Sequence, residues 1–431
     1  MMQFSESMLA RRGKLPPSLD DVKDFIDAAI ESSITTLHTV NDTIHANPQL
    51  AWEETIAHDI FIKELGEKGF HVTPSAYGVK TAFEVIANGK AAGRTVNFNA
   101  EYDALPGIGH ACGHNLISVA SLTGFLALSA LVEAYDTTGR VQLLGTPAEE
   151  SGGGKIALLA AGAYNNVDVS LMGHPFSTLG HGPDPQYTGS AGQRSIAHLG
   201  LIATFHGKNA HAAANPWDGV NALDAVVCAY NNISFLRQQT RPDERIHGCI
   251  LESPKVTNVI PGYTKMEYSV RAPSMGNCRV LADKVINCFK AAALATGCHL
   301  ELSEEDMYAD LRINKTLCTR YAEAMARFNE QVVVEREDAM AGSTDQGNVT
   351  YAVPALHAIF GLPNKENPEI NPHNAEFATC AGTEEAFQAA VRCGKGMALT
   401  GWEILTDDAV WKQCKAEFEV DKKVRDQEVC K

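Results

Sequence analysis

The amino-acid sequence predicts an α/β protein with a mostly parallel sheet, into which a smaller α/β unit is inserted. Over residues 1–193, short runs rich in valine, leucine and isoleucine alternate with helical segments, which is typical of a buried parallel sheet. Between residues 194 and 306 the order becomes strand–helix–strand–strand–helix–strand, the pattern of an α/β sandwich. The length of 431 residues also exceeds that of one ordinary compact domain.

Apolar periodicity predicts the elements of the first part of the chain. We expect helices over residues 19–46, 55–68, 116–135 and 154–161, and strands over residues 81–86, 95–99, 141–144 and 167–172. The longest apolar stretch, 117–132, is shorter than the roughly 20 residues of a membrane span, so a buried helix is expected there.

The inserted unit shows a second set of elements. Strands are predicted over residues 195–205, 246–252, 263–272 and 299–302, and helices over 219–238 and 278–297. We therefore expect a discontinuous first domain of residues 1–193 and 307–431, and an inserted domain of residues 194–306.

Composition excludes several classes of function. The formal net charge of −16 disfavours binding to a phosphate backbone, so no nucleic-acid partner is expected. The N-terminal 20 residues contain Arg11, Arg12 and Lys14 but no apolar run of a secretory signal. The 11 cysteines are scattered and odd in number, which favours a reducing compartment. We expect a cytoplasmic protein that binds no membrane.

A cysteine and a histidine follow the strand predicted to end near residue 99. Cys112 and His114 are separated by one glycine, so both side chains can reach a common centre. Thiolate and imidazole are preferred ligands of zinc-like ions. His110 is either a further ligand or a group that orients one. The alternative is a structural turn with incidental histidines.

Two adjacent carboxylates, Glu149 and Glu150, follow the strand predicted over residues 141–144. Neighbouring carboxylates repel each other unless a cation neutralises them. One can then bind a metal ion while the other takes a proton from a water that the metal activates. An acidic, solvated loop is the alternative interpretation.

Two further histidines are candidates of unequal strength. His174 directly follows the strand predicted to end at residue 172, so three strand ends deliver side chains that suit a metal. His373 lies in a polar loop near the end of the chain, and no local pattern distinguishes it.

The inserted unit contributes three polar candidates. His211 lies in a loop of small residues, where a ligand can approach closely. Asn258 lies in the segment 257–261 and Arg271 lies at the end of a strand, and both side chains could hold an amide or a carboxylate. Each of the three, taken alone, also fits a purely structural role.

Together these segments resemble the aminoacylase and carboxypeptidase-like family of dinuclear metallo-amidohydrolases. The branch of strongest likeness contains aminobenzoyl-glutamate hydrolase and β-alanyl-lysine (Xaa-Arg) dipeptidase. The resemblance covers nearly the whole chain in the order of the family and rests on residues 101–106, 110–115, 146–150, 173–175, 207–225, 342–345 and 372–373. Asn115 departs from other branches, which carry aspartate at that position.

The resemblance implies a ligand set for two divalent ions. We expect zinc, with manganese, cobalt or nickel as alternatives. The implied ligands are Cys112, His114, Glu150, His174 and His373, with the Cys112 thiolate as a bridge between the ions.

The resemblance also implies catalytic groups and an oligomeric state. Glu149 matches the general base, and His211 matches a histidine of the smaller domain that reaches the active site of a partner subunit. Asn258 and Arg271 match positions that contact substrate, and the inserted domain matches a lid or dimerisation domain. We thus expect a homodimer that hydrolyses the amide bond of a small N-acyl amino acid or dipeptide. The alternatives are amide formation at the same site, and an inactive binding or regulatory protein.

Overall fold

The computed structural model describes residues 18–177, 187–363, 367 and 370–428, so the prediction for the N-terminal segment falls largely outside the described residues. The chain divides into two compact units. The larger unit combines the described residues before Ser195 with those of Leu311–Met340 and Thr344–Lys423. The smaller unit consists of Ser195–Asp310, Ala341–Ser343 and residues 424–428.

Helices and strands alternate through most of the described chain. The helices are α1 Leu19–Glu31, α2 Ile34–Ala46, α3 Thr55–Glu67, α4 His114–Ala134, α5 Gly154–Ala160, α6 Ala222–Leu236, α7 Met275–Thr296, α8 Lys315–Arg327, α9 Gln346–Ala352, α10 Ala375–Ala381, α11 Glu384–Thr406 and α12 Asp408–Glu428. The strands are β1 Val72–Pro74, β2 Phe83–Asn88, β3 Thr95–Ala100, β4 Arg140–Gly145, β5 Val169–Ser177, β6 Tyr187–Ser190, β7 Ala197–His206, β8 Ala210–His211, β9 Arg245–Glu252, β10 Val259–Ile260, β11 Tyr263–Ala272, β12 His299–Glu304, β13 Gln331–Val333 and β14 Ala355–Leu362.

The larger unit is built on a sheet of eight strands in the order β1-β2-β4-β3-β5-β14-β6-β13. The central strands β4, β3, β5 and β14 run parallel to one another. On either side of this group, β2 pairs with β4 and β6 pairs with β14 in antiparallel fashion. Strands β3 and β14 are buried along their whole length. The predicted α/β fold with a mostly parallel sheet is therefore confirmed.

Helix α4 is the core helix of this unit. Each of its residues except Glu133 is buried. By length and composition α4 is apolar enough to cross a membrane, but its apolar window is 100% buried inside the protein. The prediction of a buried helix in this segment is confirmed.

The single long helix predicted over residues 19–46 is wrong, because two helices occupy that segment. Helix α1 ends at Glu31 and α2 begins at Ile34. Between them, Ser32 donates its hydroxyl to the Ala29 carbonyl oxygen, and the backbone of Ser33 leaves the helical region at φ −113° and ψ 2°. Serine hydroxyls compete with the backbone for hydrogen bonds, which favours a break.

The predicted end of the strand before His174 is also wrong. Strand β5 continues to Ser177, so His174 lies within the strand and not after it. The pairing with β3 stops at Leu171, whereas the pairing with β14 continues to Ser177. Pro175 therefore lies where one side of β5 has no partner strand among the described residues, a half-paired position of the kind that tolerates proline.

The smaller unit is a four-stranded antiparallel sheet in the order β12-β7-β11-β9, covered by α6 and α7. Strand β11 alternates buried and half-buried residues, so that Met266, Tyr268 and Val270 face the helices. The predicted strand–helix–strand–strand–helix–strand order is confirmed. A short ribbon of β8 and β10 extends from it.

Candidate metal centre

Two loops bring predicted side chains to the carboxyl edge of the central sheet. Strands β3 and β4 end level with each other, because Ala100 pairs with Gly145 in a parallel register. The loop after β3 leads to the start of α4, and the loop after β4 carries Glu149 and Glu150. Loops that follow adjacent parallel strands lie at one edge of the sheet, where α/β proteins bind their ligands.

Cys112 and His174 face each other across this edge, with 3.5 Å between Sγ and Nε2. The Nδ1 atom of His174 lies 2.7 Å from the Pro175 carbonyl oxygen. Because a carbonyl only accepts, Nδ1 carries the proton and Nε2 directs its lone pair toward Cys112. Gly113 permits this approach, since its φ is +74° and a Cβ atom there would lie 2.6 Å from Cγ of Pro175.

His114 is the first residue of α4 and is completely buried. Its Nδ1 atom lies 3.0 Å from Oδ1 of Asp103. The other oxygen of Asp103 accepts the backbone N–H of Glu150 at 2.9 Å. One carboxylate thus orients His114 and also holds the loop that carries the glutamate pair.

The glutamate pair follows a turn with unusual backbone geometry. Ala148 has a φ of +58°, a conformation that residues with a side chain rarely adopt. Its backbone N–H donates to Oε1 of Glu54 at 2.8 Å. Glu54 is fully buried and also accepts the Thr81 hydroxyl and the Trp52 backbone N–H. The strained turn is therefore stabilised by a carboxylate from a distant part of the chain.

His373 reaches the cluster from the loop before α10. Its φ is +64°, and its backbone N–H donates to the Ala111 carbonyl oxygen at 2.8 Å. Its Nε2 atom lies 3.4 Å from Oε2 of Glu150, and its side chain is 58% exposed. The structure thus brings His373 next to Glu150, although the two residues are far apart in sequence.

Together with Glu101, the predicted side chains form overlapping groups, and within each group the ligand atoms lie within 4.8 Å of one another. The groups are Cys112, His114 and His174; Cys112, Glu150 and His373; and Glu101, His114 and Glu149. The Nε2 atom of His114 lies 3.6 Å from Oε1 of Glu150, 3.6 Å from Oε2 of Glu101 and 3.9 Å from Oε2 of Glu149.

Three buried polar atoms at this point lack hydrogen-bond partners among the described residues: Glu101 Oε2, His114 Nε2 and Glu150 Oε1. A buried polar atom without a partner is costly, and several such atoms that converge need an explanation. Divalent cations bind imidazole nitrogen, carboxylate oxygen and thiolate sulfur, so the donor set fits a metal.

The electrostatics of the two adjacent glutamates differ. Burial and the carboxylates of Glu101 and Glu150 raise the pKa of Glu149 well above its usual range. Although burial opposes it, contact with His373 lowers the pKa of Glu150. The surroundings thus shift the pKa values of the two neighbouring carboxyl groups in opposite directions.

Several residues of the site escaped the sequence analysis. Glu101 and Asp103 directly follow a buried strand, a position that could have identified them. Glu54 carries no such signal. His110, an open candidate, bonds through Nε2 to the Ile44 carbonyl oxygen and belongs to none of the three groups. Asn115 donates to Asn41 and to the Ala381 carbonyl oxygen, which an aspartate could not do.

The candidates of the smaller unit lie at two ends of its sheet. His211 on β8 pairs with Val259, next to Asn258. The Nδ1 atom of His211 accepts the backbone N–H groups of Ala213 and Ala214, so its proton is on Nε2. Arg271 lies near the far end of β11, about 25 Å along the strand from its start, so it does not join His211 and Asn258.

Fold and site together define a class of protein, the metal-dependent hydrolases of amide bonds. Residues 97–399, more than half of the chain, match peptidase family M20/M25/M40. The chain belongs to this family of peptidases and amidohydrolases. The family resemblance inferred from the sequence motifs is thereby confirmed.

Two relatives illustrate the likeness in sequence. An Xaa-Arg dipeptidase from Mus musculus is 39% identical over 406 residues, which cover 90% of this chain and 90% of the relative. A p-aminobenzoyl-glutamate hydrolase chain from Escherichia coli strain K12 is 27% identical over 405 residues, which cover 87% of this chain and 81% of that protein.

Two crystal structures illustrate the likeness in fold. An aminobenzoyl-glutamate utilization protein from Klebsiella pneumoniae matches with a TM-score of 0.69 and 19% identity, over 87% of this chain and 98% of that one. A dinuclear metal-binding peptidase of the M20 family from Bacillus subtilis matches with a TM-score of 0.56 and 19% identity, over 84% and 98%. At this identity the matches show the fold alone.

Proposed function

We propose that this enzyme cleaves the amide bond of a dipeptide or of another small N-acyl amino acid, with Cys112, His114, Glu150, His174 and His373 as ligands of two divalent ions. The observation that carries the proposal is the convergence of buried polar atoms without partners on the cluster around His114. The names of the relatives, a dipeptidase and an acyl-glutamate hydrolase, support the substrate class. Thiolate and imidazole ligands favour zinc.

Held by these ligands, divalent ions would supply Lewis-acid chemistry, which polarises an amide carbonyl and lowers the pKa of an attacking water. Glu149 accepts a proton from that water and then donates it to the leaving amine. Its neighbour Glu150 contacts His373 through its side chain, and its backbone N–H donates to Asp103. In the proposal Glu149 therefore transfers the proton, whereas Glu150 binds metal.

His211 is proposed to stabilise the negative charge that develops on the carbonyl oxygen. The backbone N–H groups at its Nδ1 fix the tautomer in which Nε2 donates a hydrogen bond. We propose that this histidine serves the site of a second copy of the chain, and that Asn258 beside it contacts substrate. Arg271 is also proposed to contact substrate. Because it lies at the end of β11 that is far from His211 and Asn258, it would contact a different part of the substrate from these two residues.

The surface of the smaller unit supports a homodimer. Strand β9 lies at the edge of its sheet, and nearly all its residues are exposed. Val227, Tyr230 and Phe235 on helix α6 are exposed as well. Arg237, just after α6, donates to the Ile246 carbonyl oxygen of β9, so helix and edge strand are adjacent. A second copy that covers both would bury this apolar surface.

A reducing, cytoplasmic location is part of the proposal. Every cysteine in the described part of the chain is free of disulfide bonds. Most of these thiols are buried and pack as small apolar groups, for example Cys278 and Cys393. Their chemistry therefore fits a compartment that keeps thiols reduced.

The variant Glu149→Gln tests the chemistry, because it keeps the shape of the side chain and removes the proton acceptor. We expect turnover of dipeptides and N-acyl amino acids to fall by about 10²- to 10⁴-fold while metal content stays that of the wild type. Glu53→Gln, on an exposed residue, is the control. Near-normal turnover of Glu149→Gln with metal bound would show that another group is the base.

The variant His211→Ala tests the shared site. We expect it to lose turnover, and mixed dimers with Glu149→Gln chains to regain part of it, since one of their two sites then has both groups intact. The control variant His206→Ala, on a half-exposed histidine of the same unit, should be active alone. If mixed dimers form and stay inactive, His211 does not act across the dimer interface.

A further inference from the structure

A buried lysine lies beside the proposed metal centre and has no part in the mechanism above. Lys155 is the second residue of helix α5 and has 0% of its surface exposed. Its Nζ atom donates to Oδ1 of Asp345 at 2.6 Å and to Oε1 of Glu101 at 2.5 Å. Both carboxylates are fully buried too. A buried ammonium group is costly unless it is paired in this way.

The free oxygen of Glu101 points away from this pair and toward the candidate ligands. Oε2 of Glu101 has no hydrogen-bond partner among the described residues and lies 3.6 Å from Nε2 of His114. It forms one ligand-type group with His114 and Glu149. The two oxygens of Glu101 thus face different partners, one the lysine and the other the cluster.

Asp345 fixes the lysine on its other side. It accepts the backbone N–H of Lys155 through Oδ2 at 2.8 Å as well as the ammonium group through Oδ1. Gly154, just before Lys155, packs so closely that a Cβ atom would lie 1.7 Å from the Pro147 carbonyl oxygen. The start of α5 is therefore held against the turn that carries Glu149 and Glu150.

We propose that Glu101 is a further metal-facing carboxylate of this centre and that Lys155, fixed by Asp345, is the positioning residue that keeps Oε2 of Glu101 turned toward His114. The inference rests on the proposed function, because it presumes that the centre binds divalent ions. Lys155 binds one oxygen of Glu101 and so restricts the rotation that would otherwise take the second oxygen away from the cluster. Residues that orient metal-facing groups contribute to affinity through such contacts.

A double-mutant cycle on metal affinity tests this inference. We expect Glu101→Gln and Lys155→Met each to weaken the binding of Zn²⁺ or Mn²⁺, in competition with a chelator of known affinity, by about 10- to 100-fold. Combined, they should weaken it no more than the stronger single change, since the lysine acts through the glutamate. The control Lys395→Met removes a lysine that pairs with Asp27, and should bind metal as the wild type does.

Lys155→Met leaves two buried carboxylates without their cation and can fail to fold, so a neutral triple variant is needed. Glu101→Gln with Lys155→Met and Asp345→Asn removes all three charges, and circular dichroism checks its fold. We expect it to bind metal as weakly as Glu101→Gln alone. The inference is overturned if Glu101→Gln or the folded triple variant binds metal like the wild type, or if the single effects multiply. A wild-type protein that binds no divalent ion would instead overturn the proposed function.

Discussion

The two units of this chain differ in the kind of chemical group that they leave without a suitable partner. The larger unit buries the carboxylates of Glu101, Asp103, Glu149 and Asp345. In the described part of the chain Lys155 is the only buried lysine, and its ammonium group pairs with Glu101 and Asp345. The smaller unit contains most of the large apolar side chains that are exposed in the described part of the chain, such as those of Trp217, Phe235 and Leu294.

This difference indicates two kinds of missing partner. Buried negative charge and buried lone pairs are satisfied by cations, whereas an exposed apolar face is satisfied by another protein surface. In the proposed enzyme the first partner is a pair of divalent ions and the second is another copy of the chain. Changes that affect the binding of metal should therefore leave the dimer intact, and changes that disrupt the dimer should leave the binding of metal intact.

Removal of the metal should have the largest effect. We expect a chelator to abolish turnover and to lower the melting temperature, since ligand at 1,000 times its Kd stabilises a fold by about 4 kcal/mol. The dimer, measured by analytical ultracentrifugation, should persist, because it depends on apolar surface of the smaller unit. Added Zn²⁺ or Mn²⁺ should restore both turnover and melting temperature. If chelation alone dissociates the dimer, metal binding and dimer formation are not independent of each other.

Charges placed on the apolar face of α6 should have the opposite effects, namely loss of the dimer and unchanged binding of metal. In Tyr230→Glu combined with Phe235→Glu we expect monomers, because burial of one large side chain contributes about 1.5–3 kcal/mol and a buried charge opposes association. Metal content should stay that of the wild type, while turnover falls to the level of His211→Ala. Val420→Glu, on an exposed valine of the larger unit, is the matched control and should remain dimeric.

Loss of the Glu54 carboxylate, which accepts hydrogen bonds next to the turn at Ala148, should have a smaller effect on the protein. Glu54 accepts hydrogen bonds from Ala148, Trp52 and Thr81, and a glutamine has only one oxygen to offer. We expect Glu54→Gln to lower the free energy of unfolding by about 1–3 kcal/mol in urea denaturation. Glu53→Gln, on the exposed neighbour, should leave it unchanged. Wild-type stability of Glu54→Gln would show that the turn needs no acceptor there.

The backbone strain at Ala148 should give the smallest effect. Glycine adopts a φ of +58° without a steric penalty but loses more conformational freedom on folding. We expect Ala148→Gly to leave the free energy of unfolding unchanged or to raise it by up to about 1 kcal/mol. In the control Ala291→Gly, at a position inside helix α7, the free energy of unfolding should fall by about 0.5–1 kcal/mol. A similar fall in both variants would contradict the idea of strain at Ala148.

The sequence was sufficient for the fold class because that class depends on local patterns. Short apolar runs and the residues that end them predicted the parallel sheet and the strand–helix order of the smaller unit. Boundaries that depend on tertiary pairing were missed. Strand β5 continues past His174 only because β14 pairs with it as far as Ser177, and the sequence around Gly173 and Pro175 resembles a strand end.

The site was predictable to the extent that its residues follow strands. Cys112, His114, Glu149 and Glu150 come from loops at strand ends, and the structure brings them together. His373 depends on a long-range contact with Ala111, so only the family resemblance pointed to it. Glu54 and Lys155 act through buried contacts between distant segments, which no local pattern encodes.

The number of divalent ions bound per chain tests the central claim most directly. Elemental analysis of protein dialysed against Zn²⁺ or Mn²⁺ should give close to two ions per wild-type chain, and fewer in His174→Ala and in Glu150→Gln. The control variant His206→Ala, on a half-exposed histidine of the smaller unit, should bind the full number. Wild-type protein that turns over substrate with less than one ion per chain would contradict the claim that cations complete the buried cluster.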